Sequence, residues 1–532
     1  MTIRAQRVRT WATVSFTLLA ASVSLFPVNA AEDGALRFRV RERTQDNQDR
    51  WQVTLENQQW NPEQTAVALC DMWDTHTCKN AAERVAEMAP RMNDVVKNLR
   101  ERGCLIIHCP SDTMQFYKDH PARHRAQGAE KIDTKIPLQR WCHLDKQREA
   151  ELPIDDSDGG CDTPADQQAA WVKAWKAKSG DKRWPWTRQI AAIEIDDGRD
   201  AITDSAEAFY LMRERGIKNV IVMGVHTNMC VLGRPFSIRQ MVYQGQNVVL
   251  MRDMTDAMYN PAKRPQVSHF RGTELVVEHI ERHWCGTITS ADVLEDRQQF
   301  VFKNDDRPHV VFVIGEREDE TARTLPAFAE RELSHCRSTY VFADKDDRNS
   351  FPGLESLASA DLLVLSVRRR TLPAAQLDRI RTYVEAGKPV VAIRTSSHAF
   401  AQRSGKAPEG RALWQAFDAD VLGGNYTGHH GSKQKTFAQF APAAKDHPII
   451  EGVTPEEFTV TSSLYKTSPV AKTATVLMTG RVESNDKHEP VAWTNDLDGQ
   501  RIFYTSLGGP GDFELEAFRT MLKNAIQWGL TE

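Results

Sequence analysis

Two three-layer α/β domains with mostly parallel sheets are what the sequence predicts, and three observations lead there. Short apolar runs rich in β-branched residues alternate with amphipathic stretches between residues 65 and 290. The same alternation restarts near residue 309, and such β/α alternation builds parallel sheets with helices on both faces. The chain has 532 residues, well beyond the ~250–300 at which one hydrophobic core stops growing. Residues 290–308, between the two series, are charged and turn-prone, as a linker is.

Taken in order, residues 1–30 read as an export signal. Arg4, Arg7 and Arg9 form a basic start, Thr13 to Val28 is uncharged and apolar-rich, and Val28-Asn29-Ala30 puts small residues at the cleavage positions. The apolar stretch is short for a membrane span of ~20 residues. An uncleaved anchor is the alternative, and no later segment is apolar enough to cross a bilayer. The mature chain is therefore expected to be secreted, most simply into a bacterial periplasm, with no membrane attachment after signal cleavage.

Residues 31–64 form an N-terminal extension, and residues 65–295 the first domain. Strands are expected at Val67–Leu69, Leu105–His108, Ile190–Ile193, Val220–Met223 and Val248–Leu250. Helices are expected at Asn80–Arg102, Ser205–Arg215 and Val267–Trp284. Residues 110–188 are polar and tryptophan-rich (Trp141, Trp171, Trp175, Trp184, Trp186), and are expected to cover the cleft as a lid. Whether the lid serves its own subunit or a neighbour's is open, so a homo-oligomer stays open too. Residues 296–306 are the linker and residues 307–532 the second domain, with strands at 309–315, 361–366 and 389–394. Leu372–Gly387 is a helix with Pro373 in its first turn and Gly387 as its cap, and Phe518–Gly529 is a closing helix.

Composition excludes several partners. A formal net charge of −4 gives no electrostatic footprint for nucleic acid. The nine cysteines include no CxxC pair, which argues against a zinc ribbon or thioredoxin chemistry. An odd count in an oxidising compartment leaves at least one thiol unpaired, and Cys230 is the choice; Cys142/Cys161 and Cys70/Cys78 are pairings to consider. Leu152 to Asp162 looks like a calcium loop but lacks the glycine and terminal glutamate of one, so Asx turns explain its acids.

Chemistry concentrates in Asn219-Val-Ile-Val-Met-Gly-Val-His-Thr-Asn-Met-Cys-Val-Leu-Gly233. A β-branched run ends at Gly224, passes a polar turn and places Cys230 at the start of a helix. There, unpaired N–H groups and the helix dipole favour a thiolate and can hold an oxyanion. On the motif alone, a half-buried small hydrophobe at a strand–helix junction is as good an account.

Gly224-Val-His-Thr-Asn-Met-Cys230-Val resembles the nucleophile turn of the isochorismatase-like cysteine hydrolases. Thr65-Ala-Val-Ala-Leu-Cys-Asp71-Met resembles their first strand, and Gly245 to Asp256 their next strand and acidic turn. The resemblance covers roughly residues 60–295. It implies Cys230 as nucleophile, Asp71 as the base accepting its proton, and a cis Val225–His226 peptide that, with Thr227, shapes an oxyanion turn. The substrate class implied is a small-molecule amide, ester or related C–N or C–O bond. The family's lysine is missing: Ile190-Ala-Ala-Ile-Glu194-Ile-Asp196 offers carboxylates instead, which would raise the thiol pKa rather than lower it. Arg234, Arg239 and Arg252 are candidate replacement cations. Nicotinamidase-type relatives bind a divalent metal near the aspartate, for which Asp74, His76 and His108 are suitable types; no other cofactor is implied.

Leu422-Gly-Gly-Asn-Tyr-Thr-Gly-His-His430, His447 to Val453, Glu489 to Thr494 and Arg501 to Gly509 together resemble the ThuA-like (trehalose utilisation) family. Its fold is that of class I glutamine amidotransferases, a flavodoxin-like sheet, and the resemblance covers about residues 307–530. The turn after the expected central strand, Ile393 to Phe400, has no cysteine, so glutamine hydrolysis is not expected. Ser396 and Ser397 lack the G-x-S-x-G frame of a serine hydrolase. His398, Tyr426 and His429, with Trp493, are the residues expected to bind a sugar-like ligand. His429 and His430 are adjacent, so on a strand only one faces any site. The chain is thus read as an exported cysteine hydrolase joined to a ThuA-like domain. The alternative is a non-catalytic periplasmic carbohydrate-binding protein with a degenerate hydrolase site.

Overall fold

The computed structural model describes residues 34–180, 182–294, 298–431 and 434–531; the expected signal segment, 1–30, lies outside them. In the first domain, β1 (Leu36–Gln45) and β2 (Trp51–Trp60) form an antiparallel hairpin. β3 (Thr65–Cys70), β4 (Leu105–Cys109), β5 (Ala201–Ile202), β6 (Asn219–Val225), β7 (Asn247–Asp256) and β8 (Gly286–Ile288) run parallel. The sheet order is β2-β1-β8-β7-β6-β3-β4-β5. The hairpin, drawn from residues 31–64, thus extends the sheet beyond β8.

β3, β4 and β6 are buried along their whole length, as strands covered on both faces must be. Side chains alternate across the sheet, so Val67 and Leu69 face one core and Ala66 and Ala68 the other. Helix α1 (Lys79–Glu101) covers the first face with Met88, Met92, Val95, Val96 and Leu99, spaced as one stripe of a helix. The opposite face is covered by α4 (Glu207–Glu214) and α7 (His269–His283). Shorter helices are α2 (Pro121–Gln127), α5 (Cys230–Gly233), α6 (Ile238–Tyr243) and α8 (Ser290–Leu294), with α3 (Ala165–Ser179) in the tryptophan-rich insertion.

The expected strand at Ile190–Ile193 is a turn instead, closed by Ile193 N–H donating to Ile190 O at 3.2 Å, while Ile190 N–H donates to Met72 O at 2.8 Å. Ala191 and Ala192 are exposed there, so the short apolar run has no second face to bury. The edge strand comes ten residues later, as β5.

The second domain contains β9 (His309–Gly315), β10 (Arg337–Phe342), β11 (Leu362–Val367), β12 (Leu372–Pro373), β13 (Val390–Ile393), β14 (Arg411–Ala412), β15 (Gly428–His429), β16 (Thr436–Phe440), β17 (Glu457–Val460), β18 (Tyr465–Lys466), β19 (Ala474–Val482), β20 (Asn485–Leu497) and β21 (Gln500–Thr505). Helices α9 (Thr321–Glu332), α10 (Ala374–Glu385) and α11 (Glu516–Leu530) pack on them. The sheet order is β10-β9-β11-β13-β21-β20-β19-β16-β17. Strands β10 to β21 in that order are parallel, but β21, β20, β19, β16 and β17 pair antiparallel, so this sheet is mixed rather than mostly parallel. Two-residue links account for β19, β20 and β21, because parallel strands need a crossover and tight hairpins cannot supply one. The β20–β21 link is Asp498-Gly499, both at positive φ (52° and 90°), the pattern of a type I′ turn.

The two domains meet through ion pairs. Arg43 and Arg282 of the first domain reach Glu330 of α9 at 2.6 and 3.0 Å, and Arg307 reaches back to Glu274 at 2.8 Å.

Cys78 and Cys161 form a disulfide with Cα atoms 5.6 Å apart, while Cys70 and Cys142 are free and buried. The pairings considered from sequence are therefore both replaced. Cys70 lies on β3 deep in the sheet, whereas Cys78 precedes α1 and meets the insertion. The bridge spans a sequence separation of 83 residues, which by chain entropy stabilises the fold by about 4 kcal/mol. Cys78→Ala/Cys161→Ala should lower the urea midpoint of the first domain accordingly. An unchanged midpoint would mean that packing alone holds the insertion.

Candidate active site

Asp71 follows β3 in the left-handed region (φ 48°), turning its carboxylate across the carboxyl end of the sheet. It is completely buried. Ser111 N–H donates to its Oδ1 at 2.8 Å, and Arg234 Nε approaches Oδ2 at 3.3 Å. Burial pushes its pKa up, while Arg234, Cys230 and Ser111 pull it back without cancelling the rise. Among the replacement cations considered, Arg234 is the one at the carboxylate. Arg239 instead pairs with Glu149 at 2.8 Å, and Arg252 donates to Thr287.

Cys230 opens α5 and is only 8% exposed. Its thiol interacts with both Asp71 and Arg234. The helix-start position was expected to favour a thiolate, but the thiol is pushed well above its ordinary pKa. Burial is the largest cause and the Asp71 charge the next, and Arg234 offsets them only in part. The resting group is a thiol beside a basic carboxylate.

The turn before it holds the Val225–His226 peptide cis. Thr227 is committed to the scaffold: its N–H donates to Asp256 O at 2.9 Å, and its hydroxyl meets Thr255 Oγ1 at 2.7 Å. Met229 and Val231 N–H groups both close on His226 O, at 3.0 and 3.2 Å. His226 is 3% exposed, and its Nε2 has no partner among the described residues. Its ring lies 4.9 Å from His76, which stacks at 5.6 Å on Trp186. Burial holds His76 down to about 4, so it is neutral. Trp186 stacks on Trp73 at 4.3 Å and on Trp184 at 4.9 Å, and Trp141 sits 5.5 Å from the Arg234 guanidinium. The insertion thus lays aromatic faces beside Asp71 and Arg234.

The acids standing where the family has lysine point elsewhere. Glu194 is exposed and pairs with Lys97 at 2.7 Å. Asp196 is bonded to Arg199 at 2.8 Å and to Gly198 N–H. The metal candidates do not converge either. Asp74 accepts from Thr187 N–H and hydroxyl, at 2.9 and 2.7 Å. His108 is fully buried between Asp200 (3.0 Å) and Gln189 (2.9 Å). Among the described residues no group of three metal-ligating side chains gathers.

In the second domain, His398 and Tyr426 stack at 4.5 Å, and Tyr465 lies 6.4 Å from the histidine. Burial, then Arg369 and Arg368, hold His398 down to about 3. His429 is exposed and turned away, bonded to His430 O at 2.8 Å. Trp493 is core, fully buried with Nε1–H donating to Leu422 O at 2.7 Å. Sequence reasoning missed Arg394, which follows β13 in the left-handed region (φ 49°) and donates to Asp319 at 2.7 Å. The signal was there: it stands at the strand end, as Asp71 does. Asp418 was missed as well. Its Oδ2 takes the Tyr426 N–H at 2.7 Å, its Oδ1 is buried without a partner among the described residues, and burial pushes it up to about 6.

Asp71→Asn removes the charge that raises the Cys230 thiol and leaves Arg234 in place. Iodoacetamide should then label Cys230 several-fold faster at pH 7 than in the wild type, read by peptide mass mapping. An equal rate would make burial the dominant control on this thiol, and a slower one would show Asp71 acting mainly as its base. For Asp418, the raised pKa favours the protonated acid, so its stabilisation is present below ~4 and lost as pH rises through about 6. Asp418→Asn should therefore stabilise the second domain at pH 7, by up to about 2 kcal/mol, and not at pH 4. Urea midpoints at the two pH values check this, and a destabilised variant at pH 7 would contradict it.

No curated protein matches this chain in sequence. Among solved structures, a putative ThuA-like protein from Bacteroides uniformis is similar at 16% identity with a TM-score of 0.35, covering 44% of this chain and 95% of that one. A cysteine hydrolase from Pseudomonas syringae pv. phaseolicola is similar at 17% identity and TM-score 0.27, covering 44% of this chain and 92% of that one. An isochorismatase family protein from Burkholderia thailandensis is similar at 14% identity and TM-score 0.23, covering 44% and 94%. Residues 309–529 match the ThuA family model, described as trehalose utilisation.

Proposed function

We propose that the first domain is a cysteine hydrolase acting on a small-molecule amide, ester or related C–N or C–O bond. The observation that carries this is the buried contact of Asp71, Cys230 and Arg234 at the carboxyl end of a parallel sheet, where α/β proteins assemble their sites. Asp71, a stronger base than a free carboxylate because it is buried, takes the thiol proton as sulfur adds to the carbonyl carbon. The departing amine or alcohol takes that proton as the thioester forms. Water then hydrolyses the thioester, releasing the acid and restoring the thiol. The aromatic faces of Trp73 and Trp186 offer an apolar wall for the substrate.

A second reading is a periplasmic carbohydrate-binding protein whose hydrolase site is silent. It is favoured by the high pKa of Cys230 and by the His398–Tyr426–Tyr465 cluster, whose rings suit the C–H faces of a sugar. On either reading we place the protein outside the cytoplasm, since the Cys78–Cys161 disulfide suits an oxidising compartment.

Intact-mass measurement after incubation with an amide and ester panel separates the two. The hydrolase reading expects an acyl adduct on Cys230, and turnover falling at least about a thousandfold in both Cys230→Ala and Asp71→Asn. Turnover surviving in Cys230→Ala would end it. Absence of any adduct, together with calorimetric sugar binding that Tyr426→Ala abolishes, would establish the second.

A further inference from the structure

Between the domains lies a cavity of about 580 Å³ whose walls include Arg39, Arg41, Arg252 and Arg337. It opens on a narrower chamber of about 140 Å³ that shares Arg41, Arg252 and Arg337. The first three arginines come from β1 and β7 of the first domain, and the fourth from the start of β10 in the second. Four guanidinium groups on one cavity are costly unless something neutralises them.

Elsewhere in the same interface, arginines are paired with carboxylates. Arg271 meets Glu278 at 2.6 Å, and Arg307 meets Asp305 at 2.7 Å and Glu274 at 2.8 Å. Around the cavity the matching stops. Among the described residues only Arg41 of the four meets a carboxylate, Glu281 at 2.8 Å. Arg39 donates to the Pro352 carbonyl, and Arg252 to Thr287 O and Oγ1 at 3.3 and 3.2 Å, all neutral oxygens. Arg337 Nε is buried with no partner among the described residues. On the wall of the larger cavity Asp292 accepts from Thr289 N–H and hydroxyl, both at 2.8 Å, and from Arg39 N–H at 3.4 Å. The acids of the narrower chamber are engaged by other groups: Asp253 by Ser290, Asp305 and Glu274 by Arg307, Glu278 by Arg271 and Glu330 by Arg282.

We propose that this cavity binds a small multivalent oxyanion, a phosphate ester or a polycarboxylate, held between Arg252 of the first domain and Arg337 of the second. Guanidinium forks match both kinds of oxyanion in pairs of parallel hydrogen bonds, and the volume is that of a metabolite-sized site. Burial, with Arg41 and Arg39 repelling, holds Arg252 down to about 9, and burial lowers Arg41 and Arg337 as well. An anion between them relieves all three at once. Because its ligands come from both domains, occupancy favours the docked arrangement by mass action.

The test uses the full chain, with inorganic phosphate and citrate each titrated against sodium chloride at equal ionic strength. Calorimetric binding and the unfolding temperature are the readouts. Saturable binding of at least one anion, with a rise of several degrees, is expected; phosphate alone would indicate phosphoryl recognition and citrate alone carboxylate recognition. Arg252→Gln/Arg337→Gln should weaken binding about tenfold or more, while Arg199→Gln, an exposed arginine paired with Asp196, should bind as the wild type does. Should the double variant fail to fold, Arg337→Lys keeps the charge, removes the fork and should still weaken binding severalfold. No saturable binding of either anion, or undiminished binding in the folded variants, would overturn the proposal.

Discussion

Everything at the first site depends on how the chain keeps Asp71 charged inside the protein. A carboxylate with no exposure costs several kcal/mol unless it is paired and hydrogen-bonded, and breaking such a pair costs about 3–5 kcal/mol. Ser111 and Arg234 supply what is needed from two separate segments. The approach of β6 to β3 brings the third group in. At Gly224 (φ 109°) an added Cβ would stand 2.0 Å from Cys70 O, so only glycine lets the strands close there. That closure sets the turn leading to Cys230 directly above Asp71.

The second domain repeats the device with different chemistry. Arg394 follows β13 at φ 49°, as Asp71 follows β3 at φ 48°. Its guanidinium is held by Asp319, Ser506 O at 2.8 Å and Ser463 Oγ at 3.2 Å, and lies 4.8 Å over Tyr465. A cation so fully engaged orders the floor on which His398, Tyr426 and Tyr465 stack.

The sequence made the central strands legible because burial on both faces leaves an unbroken apolar run, as in β3, β6 and β9. It also exposed Asp71, Cys230 and His398, since each stands at the end of such a run. What stayed hidden were groups defined by a partner far along the chain. Arg234 was only one of three candidate cations until the fold brought it to Asp71, more than 160 positions away. Ile190–Ile193 misled because four apolar residues in a row look the same in a turn as in a strand. The antiparallel half of the second sheet was readable in principle from Asp498-Gly499, but helix-separated strands elsewhere suggested continued parallel order. Trp493 and His429 show the limit of residue type alone: the one was drawn into the core, and the other was turned outward beside Tyr465.

That the cation at Asp71 is an arginine and not a lysine limits what the site can do. Lysine is a compact cation that can lose its proton when buried, so it can take part in proton traffic. Arg234 cannot, because Asp71 and Cys230 only raise an already high pKa. Its part is confined to fixed positive charge aimed at Asp71 and the sulfur. Any proton moving between Cys230 and a leaving group must therefore pass through Asp71 or water. His76 and His226, beside the turn, are both held neutral by burial. Under the proposed hydrolase function Asp71 is therefore base and acid in turn, a role that a buried carboxylate of raised pKa can fill.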